Sequence, residues 1–279
     1  MAMRTTGSTR QNNNELEHHV TTHTSSAGTP TVSTRTAARV AGIGYVSIFF
    51  LAIFANFFVR EGLVVPDDAA ATMANIVDSE GLFRAGTVAF LAVFVIDIVV
   101  AWALYIVFRP VNRDLSLLSA WSRLAYTLFL GVAVVFFYMV LEIVSGADYF
   151  QSFSAGQLDA QVMLYLDAFN FTWLVGLAGF GLHLILVGAL IRRANVAPRA
   201  LPLLLIAAGI AYILDTLANT VLANYQDYAD LFLAMVALPS VIGEMWLGLW
   251  LLTKAGRDRD LEGGAQGATS ARTAVASGG

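Results

Sequence analysis

Five acidic side chains, Asp97, Glu142, Asp167, Asp215 and Glu244, stand inside apolar stretches of membrane-spanning length, together with His183 and Arg123. An ionised side chain at the bilayer centre costs at least ~2.5–3.5 kcal/mol on the insertion scale, so such groups persist where they are paired, hydrated or used. Carboxylates and an imidazole in low dielectric suit proton exchange, general acid catalysis or the binding of a hydrogen-bonding ligand. The same residue types also tie membrane helices to one another. Each embedded residue therefore carries a functional and a structural reading.

A helical rise of about 1.5 Å per residue assigns each side chain a depth. Arg123, His183 and Glu244 form an inner group with Asp97, which sits near the middle of its segment. Arg123 is deep enough to need a partner, and Glu244 is the carboxylate at the closest depth. An outer group comprises Asp215 and Asn219, one helical turn apart on one face, with Asn56, Asp167 and Asn170. Two carboxylates converging there would share a proton. Glu142 and Asp167 also lie near helix ends, where they can reach the headgroup region.

Other chemistries are excluded by composition. The chain has no cysteine, which removes disulfides, thiol catalysis, iron–sulfur clusters and thiolate zinc sites. His183 is the one histidine within an apolar segment, so a haem held between two membrane histidines is not available within the chain. Catalytic zinc sites mostly use two or more imidazoles or thiolates, so no metal and no cofactor are expected. His18, His19 and His23 fall in a polar tail and read as solvated residues. The sequence contains no phosphate-cradling Gly-rich loop with Lys and Ser/Thr, no His-Glu-x-x-His and no Gly-x-Ser-x-Gly.

The elements that must position these residues are membrane helices. The chain is 57% hydrophobic and 13% charged, against about 25% charged residues in soluble domains. Its apolar residues fall in runs long enough to span a bilayer. Six helices are expected, at Val40–Val59, Leu82–Phe108, Leu115–Val144, Gln161–Ile191, Leu201–Leu222 and Leu231–Thr253. A short capped helix over Asp67–Val77 lies outside the bilayer, and Pro239 is expected to kink the sixth span. Trp121, Trp246, Trp250, Tyr149 and Phe150 fall near the expected interfaces as an aromatic belt. Residues 1–36 and 256–279 read as polar or small-residue tails, leaving 37–255 as the transmembrane domain.

Charge sets the orientation. Arg4, Arg10, Arg35 and Arg39 precede the first span, Arg109 and Arg113 join the second to the third, and Arg192, Arg193 and Arg199 join the fourth to the fifth. Lys254, Arg257 and Arg259 follow the sixth, whereas the opposite loops are dominated by Asp and Glu. Basic loops stay cytoplasmic, so both termini are expected inside the plasma membrane. The net charge of −4 is spread out, and no basic patch suggests nucleic acid.

Several stretches resemble a known family. They are Arg39-Val40-Ala41-Gly42, Val64-Val65-Pro66-Asp67-Asp68, Ala103-Leu104-Tyr105 running into Arg109-Pro110-Val111-Asn112-Arg113, Gly181-Leu182-His183-Leu184, Tyr212-Ile213-Leu214-Asp215 and Gly243-Glu244. Together they are similar to bacterial domain-of-unknown-function family 4386, composed of six-helix integral membrane proteins. The resemblance implies that architecture and supplies no activity. The sequence thus leads to an all-α six-helix membrane bundle. Its functional expectation is a mid-membrane polar cavity, open to proton linkage, that binds or passes a small apolar or lipid-like molecule. An intramembrane enzyme with a carboxylate general acid and a structural subunit are the alternatives. The topology is testable directly: an export-dependent reporter inserted between Gly146 and Asp159 is expected to be active, and an inactive one would reverse the orientation.

Overall fold

The computed structural model describes residues 32–255; the trio His18, His19 and His23 lies outside them. Six helices are long and apolar enough to cross a membrane. The first, α1 (Thr34–Ile53), starts where the Ser33 side chain accepts from the Thr36 amide. It continues through a π-helical segment, Phe54–Arg60, and a last turn to Leu63. The short α2 (Ala69–Asp78) is capped by Asp68, whose carboxylate accepts the Ala71 amide at 2.9 Å. Thr72 then ties α2 to the incoming chain by bonding both the amide and the carbonyl of Val65.

The remaining spans are α3 (Glu80–Phe108), α4 (Arg113–Val144), α5 (Ala155–Ala194), α6 (Ala200–Val221) and α7 (Ala229–Thr253). Helix α5 begins six residues before the expected Gln161. Its start is a capping box in which Ser154 and Gln157 satisfy each other's backbone amides, a polar signal that hydropathy does not register. Helix α7 runs continuously through Pro239.

The spans close into a ring. Each of α3 to α7 packs against the span before it in sequence or, for α3, against α1, and α7 returns to α1. Short turns make sequence neighbours into spatial neighbours, and small residues at the seams allow the closure. At the α5–α6 seam Gly181 and Gly209 face each other, and a Cβ on Gly181 would stand 2.5 Å from the Gly209 carbonyl oxygen. At the closing α1–α7 seam a Cβ on Gly42 would stand 2.8 Å from the Gly248 carbonyl oxygen. Backbones approach this closely only where no side chain intervenes.

Toward the end bearing the acidic loops the ring interior is filled by aromatic side chains. Phe83, Phe90, Phe137 and Phe169 are fully buried, and the Phe137 and Phe169 rings stack with centroids 4.2 Å apart. Trp173 packs on Phe90 and Phe169 beside them. The expected aromatic belt divides: Trp121 and Tyr149 are exposed, whereas Trp250 is buried in the core. Trp250 turns inward because it lies on the face of α7 that closes the ring.

Overpacking a tight seam costs ~1–3 kcal/mol. Gly181→Val is therefore expected to lower the melting temperature of the purified protein in detergent. Gly156→Ala, where an added Cβ meets nothing within 4 Å, is expected to leave it unchanged.

Candidate functional site

Below the aromatic layer, the ring interior holds a network of polar side chains drawn from several spans. Tyr45 comes from α1, Asp97 from α3, Ser119 and Arg123 from α4 and His183 from α5. Tyr45, Asp97, Arg123 and His183 are each no more than 4% exposed. Arg123 is the hub. Its Nε donates to Asp97 Oδ1 at 2.9 Å, and its Nη2 donates to the same oxygen. Its Nη1 donates to the Tyr45 hydroxyl at 2.7 Å and points at His183 Nε2 at 3.2 Å. The guanidinium also lies over the Tyr45 ring, 4.7 Å from its centroid, and over the Phe180 ring at 5.3 Å. Both contacts favour the cation where water is absent.

The imidazole is held by the backbone of the neighbouring helix. His183 Nδ1 lies 2.9 Å from the Ser119 carbonyl oxygen and 3.0 Å from its hydroxyl. A proton on Nδ1 satisfies that carbonyl and leaves the Nε2 lone pair to accept from Arg123. His183 therefore sits beside the cation as a neutral ring, and Asp97 supplies the balancing charge.

The network is complete except in one place. Asp97 Oδ2 is buried and has no hydrogen-bond partner among the described residues. A guanidinium can engage both oxygens of a carboxylate through two parallel bonds, but here both bonds converge on Oδ1. Four of the five Arg123 N–H groups have partners, so one Nη2 hydrogen is also left over. Glu244 on α7 is half-buried and stands within electrostatic reach of Arg123 and Asp97. It is also within reach of Tyr212 on α6.

This geometry revises the sequence reading. The ion pair assigned to Arg123 and Glu244 is made by Arg123 and Asp97. The reason is the ring: α3 and α4 are hairpin neighbours, whereas α7 is not adjacent to α4. Tyr45 and Ser119 were missed. Tyr45 could have been found as a hydroxyl in the interior of the first span, near the depth of Arg123.

The expected outer group does not assemble. Asn56 and Asn170 meet through Arg60, which donates to each of them at 2.8 Å and pairs with Glu61 at 3.1 Å. The π-helical segment Phe54–Arg60 carries both Asn56 and Arg60. Asp215 instead accepts from the Tyr225 hydroxyl at 2.6 Å, with Asn219 one turn further along α6. Asp167 is exposed on α5, and Glu142 is exposed and accepts from Tyr149 at 3.0 Å. These carboxylates lie on three different helices with separate partners, and Thr216 beside Asp215 bonds the Leu174 carbonyl, about two turns from Asp167. Among the described residues no cluster of His, Asp and Glu could hold a metal ion.

The ring and its polar hub fall within a segment, residues 40–255, that matches the family described as "Domain of unknown function (DUF4386)". The chain belongs to the DUF4386 family. A similar protein, an uncharacterized protein of Archaeoglobus fulgidus, is 26% identical over 162 residues, covering 58% of this chain and 78% of the relative. No solved structure matches. The DUF4386 match takes in all six spans from Val40 onward, including every residue of the Arg123 network.

Removing one partner of a buried ion pair leaves an uncompensated charge and costs ~3–5 kcal/mol. Asp97→Asn and Arg123→Gln are each expected to lower the melting temperature sharply. The double variant, which buries no net charge, is expected to melt above either single variant. A double variant whose loss equals the sum of the two single losses would show that the pair is not coupled.

Proposed function

We propose that this DUF4386 protein is a membrane-embedded binding or permeation protein, with both termini cytoplasmic, whose ligand site is the Arg123 hub. The observation that carries this reading is the unpartnered Asp97 Oδ2. An unpaired buried polar atom costs its full desolvation penalty, ~1–3 kcal/mol or more for a charged group. A ligand that donates a hydrogen bond recovers that loss, and the spare Arg123 N–H offers an acceptor on the same ligand a complementary bond.

The chemistry favours a small amphiphile. Aromatic rings border the hub on the side of the acidic loops, and apolar helix faces surround it, so the ligand's remaining surface must be apolar. A hydroxyl, amide or amine on an otherwise lipid-like molecule meets both demands. Glu244, half-buried beside the hub, is the group that links occupancy to a proton. A purely structural role for the hub is the competing reading, supported by the four N–H groups of Arg123 that are already satisfied.

Native mass spectrometry of the protein released from membranes separates the two. The wild type is expected to retain a small amphiphile that the Asp97→Asn/Arg123→Gln variant has lost, although that variant stays folded. Retention by the wild type is expected to change with pH, and Glu244→Gln is expected to remove the change. A wild type that carries no such species, or a double variant that carries it equally, would make the hub interhelical glue.

A further inference from the structure

At the basic end of the bundle the turn between α5 and α6 encloses a cavity of about 390 Å³. Its rim carries Arg192, Asn195 and Arg199, and its walls are Ile191, Pro202 and Leu203. We infer that this cavity binds the phosphate group of an anionic phospholipid.

The rim supplies the charge. Arg192 lies in the last turn of α5 and Arg199 immediately precedes α6. Neither guanidinium pairs with a carboxylate among the described residues. Planar guanidinium forks match phosphate oxygens through pairs of charge-assisted hydrogen bonds. Two forks facing one hollow can therefore take a single phosphate from both sides.

The shape is set in advance by the backbone. Asn195 adopts the left-handed conformation at φ 54° and returns its amide to the Ile191 carbonyl at 3.0 Å, which ends α5 abruptly. Below it, Gly188 lets the first turn of α6 press close, since a Cβ there would stand 2.8 Å from the Pro202 carbonyl oxygen. Pro198 and Pro202 further restrict the turn.

The walls favour a lipid over a free anion. Ile191 is buried at the base, while Leu203 is 54% exposed on the outer surface of α6. A headgroup phosphate seated at the rim can continue into an acyl chain along Leu203, where an inorganic phosphate would leave that apolar wall unused. Basic pockets between spans at the cytoplasmic side are suited to anionic headgroups. Orientation by positive loops requires only that the arginines be present in the turn, and Arg193, which does not line the cavity, meets that requirement as well as its neighbours do.

The test is a melting titration of the full-length protein in detergent with phosphatidylglycerol, phosphatidylcholine and inorganic phosphate as separate probes. Phosphatidylglycerol is expected to raise the melting temperature saturably and phosphatidylcholine to leave it unchanged. Arg192→Gln/Arg199→Gln is expected to weaken the phosphatidylglycerol midpoint by about tenfold or more, the scale of losing charge-assisted hydrogen bonds. Arg193→Gln is expected to leave the midpoint close to that of the wild type. All three positions are exposed, and surface changes usually shift stability by no more than ~0.5 kcal/mol, so the variants remain folded. Equal weakening by Arg193→Gln would mean diffuse attraction to a basic surface and overturn the site. An inorganic phosphate midpoint equal to that of phosphatidylglycerol, or an equal response to phosphatidylcholine, would overturn the assignment to an anionic lipid.

Discussion

A guanidinium buried at the centre of six apolar helices constrains everything around it. Arg123 cannot be neutralised by losing its proton, so the fold must bring an anion and several acceptors to it. Asp97 supplies the charge, Tyr45 and His183 supply lone pairs, and Phe180 supplies an aromatic face. These come from α1, α3 and α5, so satisfying one side chain of α4 fixes the relative rotation and depth of four helices. Membrane helices lack a strong hydrophobic force to choose among mutual rotations. The hub provides that choice through hydrogen-bond directions.

The seams serve the same end by a different means. Gly42 with Gly248 and Gly181 with Gly209 bring backbones close along the two helices that carry Tyr45 and His183, whose side chains meet in the interior. The carbonyl of Ser119, one turn from Arg123, then receives the imidazole and sets which of its nitrogens faces the cation. Close packing and polar satisfaction are thus coupled in space: a helix pushed outward at a seam would also withdraw a partner from the hub.

The spans were legible because a continuous apolar run of this length fits a bilayer and little else. The third span, expected at Leu115–Val144, agrees with α4 to within two residues at its start. The start of α5 was not legible from hydropathy, since a polar capping box extends it past the apolar run. Depth along the chain placed Arg123 and His183 together, with Asp97 nearer the middle of its span and Glu244 as the carboxylate nearest Arg123 in depth. It gave no information on azimuth, and so it assigned Arg123 to Glu244 when the adjacent helix held Asp97. Asp215 and Asp167 stand on adjacent helices but at different levels, since Thr216, beside Asp215, bonds the Leu174 carbonyl about two turns from Asp167. Arg60 falls just past the expected end of the first span, yet the helix continues through it in a π-helical segment and its guanidinium reaches Asn170.

The packed rings of Phe83, Phe90, Phe137 and Phe169 have an electrical consequence. They form an apolar, low-dielectric layer between the hub and the surface that bears the acidic loops. Moving one elementary charge through the full membrane voltage involves about 2.3 kcal/mol per 100 mV, and a low-dielectric layer concentrates that drop within itself. A charge passing between the hub and either surface would do work across apolar packing: these rings on the acidic-loop side, and buried Leu184, Val187 and Leu190 on the basic side. The Arg123–Asp97 pair sits between these two insulating layers as a dipole without net charge, so a membrane field can turn it but exerts no net pull on it.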